Sequence, residues 1–204
     1  MSRTSTAKER LTDAAMEMLW ENSYGATSVD AICERADVRK GSFYYFFKSK
    51  SDLAAEALEA DWRKHQGQLD SIFSPTVPPL KRFEHYFDFT YERLAALQKQ
   101  CGNVLGCPLF SLGSEICTQD TVLRDAIQRI LDRKVSYFES AIRDAHAQGL
   151  IQAPDAKAKA KALFAFYQGT LTQARIENDV EVMRGAYTAT LDYLHATSAS
   201  TTVA

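Results

Sequence analysis

Glycine and proline are scarce in this chain, with 9 and 5 copies among 204 residues. That scarcity excludes collagen-like and Pro/Gly-rich low-complexity architectures. Cysteine is scarcer still. Cys33, Cys101, Cys107 and Cys117 are too few to staple a chain this long with disulfides. None sits in a CxxC pair, and no Cys/His grouping has zinc spacing. No apolar run approaches the ~20 residues of a membrane span, and the first eight residues lack the apolar stretch of a secretory signal. The expectation is a soluble cytoplasmic protein with reduced thiols, no metal and no cofactor. A positive charge excess is absent too: 24 Lys+Arg against 26 Asp+Glu leave a formal net charge of −2. A protein that coats nucleic acid non-specifically is clearly basic, so that role is disfavoured. A sequence-specific reader stays open, because only its contact face needs positive charge.

What is present is helical periodicity. Apolar residues make up 46% of the chain and charged residues 25%, close to globular averages and enough for a core. The first helix is expected over about 7–23, with Thr6 and Glu9 at capping-box spacing. Leu11, Ala15, Met18 and Leu19 form its apolar stripe, and Gly25 follows as a left-handed stop. Two short helices come next. One is capped by Thr27 and carries Val29, Ile32, Cys33 and Ala36; the other runs near 39–46 after a tight turn at Asp37-Val38. Ser49 with Asp52 opens a longer fourth helix through Leu53, Ala57, Leu58 and Trp62. The Ser74-Pro-Thr-Val-Pro-Pro79 segment is the clearest break. Beyond it helices are expected at about 80–100, 104–116, 120–148, 156–178 and 180–196, with Gly149 ending the third of these. Phe43-Tyr-Tyr-Phe-Phe47 favours strand by composition, yet no partner strand lies nearby, and a lone strand leaves its backbone groups unsatisfied. Helix is kept there. The fold class is all-α: a three-helix head over 1–50, a helical body over 51–196 and a polar tail over 197–204.

Charge is divided unevenly. Arg35, Arg39, Lys40, Lys48 and Lys50 face a single acid, Asp37, within residues 35–50. Five cations less one acid leave +4 on those 16 residues and −6 on the rest. Two short helices joined by a three- or four-residue turn form a helix-turn-helix, and the local charge suits a DNA reader in a near-neutral protein. The segment Thr27-Ser-Val-Asp-Ala-Ile-Cys-Glu-Arg-Ala-Asp-Val-Arg-Lys-Gly-Ser-Phe-Tyr-Tyr-Phe-Phe-Lys-Ser-Lys-Ser-Asp-Leu53 resembles the signature of TetR-type transcriptional regulators. The match rests on the Thr cap, Ile32, Ala36-x-Val38, Lys40-Gly41-Ser42, the aromatic run from Tyr44, and Phe47-x-x-Lys50-x-x-Leu53.

Two positions depart from that pattern. Asp37 replaces the usual turn glycine, and Asp tolerates positive φ better than most residues. Arg39 replaces a small hydroxyl residue, losing an N-cap oxygen and gaining a cation that reaches a phosphate or a guanine edge. Thr27 is expected to offer its hydroxyl to a phosphate at a helix N-terminus. Lys48 and Lys50 are expected phosphate contacts. Tyr44 gives a phenolic O–H to the DNA backbone while its ring packs. Arg39, Lys40, Ser42 and Tyr45 are candidate base readers, and Gly41 permits close approach. Phe43 and Phe47 are core wedges.

The resemblance implies a small-molecule pocket among the middle helices and a homodimer built by the last two long helices. The pocket candidates are Trp62, Tyr86, Phe87, Tyr91, Cys107, Phe110, Phe138 and Tyr167; core packing is the alternative for each aromatic. The dimer candidates are Phe166, Gly169, Thr170, Gln173, Tyr187 and Leu191, with Gly169 and Thr170 small enough for close helix contact. The expected partners are operator DNA, a small-molecule effector and a second copy, with no membrane. The implied regulator is a repressor holding two heads on a pseudo-palindromic operator, released by an inducer through the fourth helix.

The Gly106-Cys-Pro108 element resembles a branch of the family that includes electrophile sensors. Pro108 suits the first helical turn, which places Cys107 at the N-cap, where the positive helix end favours a thiolate. A small structural cysteine is the other reading. Two other functions fit the residues less well. An enzyme finds no support, since His65, His85, His146 and His195 have no carboxylate, Ser or Cys partner at a telling spacing. A protein-interaction adapter has no need of the cations between 35 and 50.

Overall fold

The computed structural model describes residues 3–196, with side chains from 7 onward. The expected polar tail, 197–204, lies outside the described residues. Those residues form α1 (Arg3–Glu21), α2 (Val29–Arg35), α3 (Lys40–Phe46), α4 (Lys50–Ile72), α5 (Pro79–Cys101), α6 (Pro108–Ile116), α7 (Thr121–Ala147), α8 (Ala156–Glu177) and α9 (Ala186–Leu194). A 3-10 segment, Val180–Gly185, separates α8 from α9. The all-α expectation holds over this span.

Several helix ends differ from expectation. Helix α1 starts at Arg3, so Thr6 lies inside it and does not cap it. Ser and Thr cost only tenths of a kcal/mol in a helix, too little to stop one that packing holds. Gly25 is not left-handed: the positive-φ glycines are Gly102, Gly106 and Gly149. Asn22 ends α1 instead, its side-chain amide donating to the Met18 carbonyl at 3.1 Å. Helix α6 begins at Pro108, because proline pushes the residue before it to extended backbone. The expected helix over 180–196 is divided at Gly185. Gly149, at φ 70°, closes α7 as expected.

The described chain forms two compact units. The first takes residues up to Gln66 together with Cys107–Leu131. Its core includes Leu11, Ala15, Leu19, Ile32, Phe43, Phe47, Leu53, Leu112 and Leu123. The second takes Gly67–Gly106 with the chain from Asp132 onward. Its centre is aromatic: the Phe138 ring meets those of Phe83, Tyr86 and Phe164, each pair 5.3 Å apart between centroids. Arg82, 1% exposed, pins the α4–α5 connection there. Its guanidinium donates to the Val77 carbonyl at 2.9 Å and to Asp144 at 2.6 Å.

Candidate nucleic-acid interface

Helices α2 and α3 pack through Ile32, Cys33, Ala36 and Phe43, all buried. Ser28 starts α2. Its hydroxyl accepts from the Ala31 N–H at 3.1 Å, which satisfies one of the orphan donors of the first turn. Asp37 turns the chain with φ 50°, the left-handed conformation expected there. Arg39 is the N-cap of α3 and supplies no capping oxygen. Helix α3 then buries Phe43, and Phe47 leaves it in extended backbone, 5% exposed. Both phenylalanines are the core wedges the sequence suggests.

The opposite side of α3 is open. Tyr44 and Tyr45 are 60% and 75% exposed. Arg39, Lys40, Gly41 and Lys48 are exposed, and Ser42 is half-buried. A Cβ built on Gly41 meets nothing within 4 Å, so no packing inside the chain demands glycine at that position. Lys40 pairs with Asp30 at 2.6 Å, Arg35 with Glu17 at 3.5 Å and Arg10 with Asp37 at 3.3 Å. All three pairs are solvent-exposed, which limits each to about 0–1 kcal/mol.

Two expected contacts face inward. Thr27 is 2% exposed and its hydroxyl donates to the Ser23 carbonyl at 2.8 Å. The cap is therefore Ser28, and Thr27 is a buried anchor for the α1–α2 turn. Lys50 also turns in. Its ammonium donates to the carbonyls of Tyr24 at 2.7 Å and Thr27 at 2.9 Å and lies 3.9 Å from the Tyr24 ring centroid. Burial pushes its pKa down, against a smaller upward pull from Glu115. A cation held by two carbonyls and a π-face is a staple of the head, not a free phosphate contact.

Glu115 and Asp120 complete this staple, and local sequence reasoning missed both. The Glu115 carboxylate, at the end of α6, accepts the N–H groups of Tyr24 at 2.8 Å and Gly25 at 2.7 Å. A Cβ on Gly25 would stand 3.3 Å from its Oε1, so glycine serves close approach there. The Tyr24 and Ser51 hydroxyls lie 2.9 Å apart, and Ser51 donates onward to Asp120. Burial raises the Asp120 carboxyl, but hydrogen bonds from Ser51, Leu123 and Val122 outweigh it and hold the pKa below the ordinary range. These partners stand 69–91 residues apart in sequence, so no spacing announces them.

Comparison with known proteins fixes the family. The model for bacterial regulatory proteins of the tetR family matches residues 11–57. The model for a tetracyclin repressor-like C-terminal domain matches residues 80–190, over half of the chain. The chain belongs to the TetR family. This TetR-family protein is a DNA-binding transcriptional regulator, as its relatives are. The HTH-type transcriptional repressor DhaR of Mycobacterium sp. is 28% identical over 89% of this chain and 88% of its own. The transcriptional regulator AcuR of Cereibacter sphaeroides is 30% identical over 85% and 78%. A crystal structure of a regulatory protein TetR from Rhodobacter sphaeroides superposes with a TM-score of 0.81 at 26% identity, covering 92% of this chain and 98% of that one. Reduced E. coli NemR gives the same TM-score at 19% identity, over 94% and 98%, which speaks for the fold alone.

The other expected site residues of this TetR-family chain separate. Tyr86, Phe87, Phe138 and Tyr167 come together in the second unit, all at most 5% exposed, ring against ring. Tyr91 does not join them. Its hydroxyl donates to Glu181 at 2.6 Å and accepts from Arg184 at 2.6 Å at the surface, because the 3-10 segment brings Glu181 to that hydroxyl and Arg184 over the ring. Trp62 and Phe110 belong to the first unit; Trp62 is buried and Phe110 lines a groove. Cys107 is the N-cap of α6, with Pro108 in its first turn. Of the dimer candidates, Phe166, Gly169 and Gln173 are exposed on α8. Thr170, Tyr187 and Leu191 are half-buried.

Proposed function

We propose that this chain is a homodimeric cytoplasmic repressor that reads a pseudo-palindromic operator with α3 and is released by a small-molecule inducer. One observation carries the reading. Helix α3 exposes Lys40, Tyr44 and Tyr45 while it buries Phe43, and the flanking Arg39 and Lys48 are exposed beside it. Exposed side chains with donors for phosphates and base edges suit a major-groove helix. Residues 1–50 act as the reading head and 51–196 as the effector and dimer body. Ser28, Arg39, Lys40, Gly41, Ser42, Tyr44, Tyr45 and Lys48 form the contact face. Thr27 and Lys50 hold its geometry.

The buried rings of Tyr86, Phe87, Phe138 and Tyr167 suit an apolar inducer that repacks them. An inducer shifts the population only through its differential affinity for the two head spacings. The test is selection of bound sequences from a random DNA pool, followed by gel shift. The parent retains a palindromic site, and Tyr44→Ala loses it with an unchanged melting temperature. A parent that enriches no sequence sinks the reading.

One observation favours a thiol-based release of the same repressor: Cys107 sits at the α6 N-cap and is only half-buried. N-ethylmaleimide then frees the operator from the parent and leaves Cys107→Ser bound. Equal release from both excludes it.

A further inference from the structure

The first unit carries an open groove of about 270 Å³ along α6 and α7. Its walls include Leu109, Phe110, Ile127 and Leu131. Gly113 also lines the groove; a Cβ there would rest in ordinary contact, 3.8 Å from both Cys117 Sγ and Ile127 Cγ2. Arg124 is the one charged residue lining the groove. Its Nε lies 3.2 Å from Asp125, both side chains over half exposed, so this pairing is weak. Guanidinium retains further donors for a second anion. Burial pushes the Cys117 thiol up, so it adds no charge of its own.

Both walls are tied to the reading head. Helix α6 runs directly to Glu115, which holds the Tyr24 and Gly25 amides. Helix α7 starts after Asp120, which holds Ser51.

We propose that the α6–α7 groove is an effector site for a short-chain organic anion, whose occupancy is read by the helix-turn-helix through Glu115. The volume lies just below the ~300–1,000 Å³ typical of pockets for drug-sized ligands, which suits a short apolar tail. The acid group, carboxylate or sulfonate, meets Arg124, and the tail lies on Leu109, Ile127 and Leu131. The binding half stands independently of operator recognition; the coupling half rests on it.

Hexanoate is the probe, titrated into the full chain with isotope-labelled Ile and Leu methyl groups. The expected result is saturable shifts at Ile127, Leu109 and Leu131. Arg124→Gln weakens binding about tenfold or more, as expected for loss of a charge-assisted hydrogen bond, and hexan-1-ol binds as weakly to the parent. Gln128→Trp, on the exposed rim, closes the groove and abolishes the shifts. Equal binding by parent and Arg124→Gln overturns the site, as do shifts confined to the second unit. Shifts at these methyls that follow protein concentration without hexanoate assign the groove to a second copy and overturn it too.

The coupling half is read on the selected operator. Hexanoate weakens operator binding by the parent. Glu115→Gln keeps the methyl shifts but loses that effect. An undiminished effect in Glu115→Gln overturns the Glu115 route. A parent that binds no operator removes the coupling and the repressor reading together, while the methyl titration still decides the site.

Discussion

Thr27 and Ser28 are neighbours with opposite duties. Ser28 caps α2, and its replacement by alanine is expected to lower stability by about 1 kcal/mol. Thr27 faces the core, where its hydroxyl anchors the α1–α2 turn. Lys50 and Lys48 make a similar contrast. Lys50→Met removes a cation from two backbone carbonyls and is expected to cost roughly 1–2 kcal/mol, read by urea denaturation. Lys48→Ala, at an exposed site, leaves the denaturation midpoint unchanged and weakens operator binding across sequences, lowering the slope of log affinity against log salt by about 1. A lysine that seeks a phosphate and one that seeks a carbonyl are identical in sequence; only the acceptor distances separate them.

Helix α8 shows why an element's exposed face matters as much as its buried one. Leu163, Phe164, Tyr167, Leu171 and Ala174 fill the second unit. The other face carries Phe166, 40% exposed, and Ile176, 79% exposed, with Gly169 and Gln173 between them. A helix apolar on two faces has a second partner to find, and the Phe166 ring already stacks on Tyr193 within 3° of parallel. Ile176→Glu is expected to shift the chain from dimer to monomer in sedimentation velocity without loss of helix content; an unchanged dimer removes α8 from the interface. Much at this scale was legible. Ser49 Oγ accepts from the Asp52 N–H at 3.0 Å, the cap its spacing announces. Asp37 takes positive φ, and Phe43-Tyr-Tyr-Phe-Phe47 is helical up to Phe46 with Phe47 extended. The strand-like composition of that run reflects core packing, which composition alone cannot distinguish from sheet. Tyr91 fell outside the aromatic cluster because periodicity fixes a helix face and not what crosses it.

Across the whole molecule the low net charge divides usefully. Basic residues gather between 35 and 50, while the remaining −6 discourages loose attachment to nucleic acid. Acid acts on the head through Asp120. Its folded pKa lies below the ordinary carboxylate value of about 3.9. Such a group contributes stability that is fully present above the unfolded pKa and is lost as pH falls through the folded one. The stability gap between parent and Asp120→Asn is therefore expected to stay constant near neutrality and to close in the acid limb of a pH-dependent denaturation series. A gap that widens with acid contradicts that placement.

The sequence by itself determined the helices, the helix-turn-helix and the family, because helical periodicity, caps and turn residues act within a few positions. The tertiary structure alone decided which polar groups serve the head from inside it. Glu115 and Asp120 reach Tyr24, Gly25 and Ser51 across 69–91 residues. A hydrogen bond depends on distance in space, and only packing brings such groups within 3 Å.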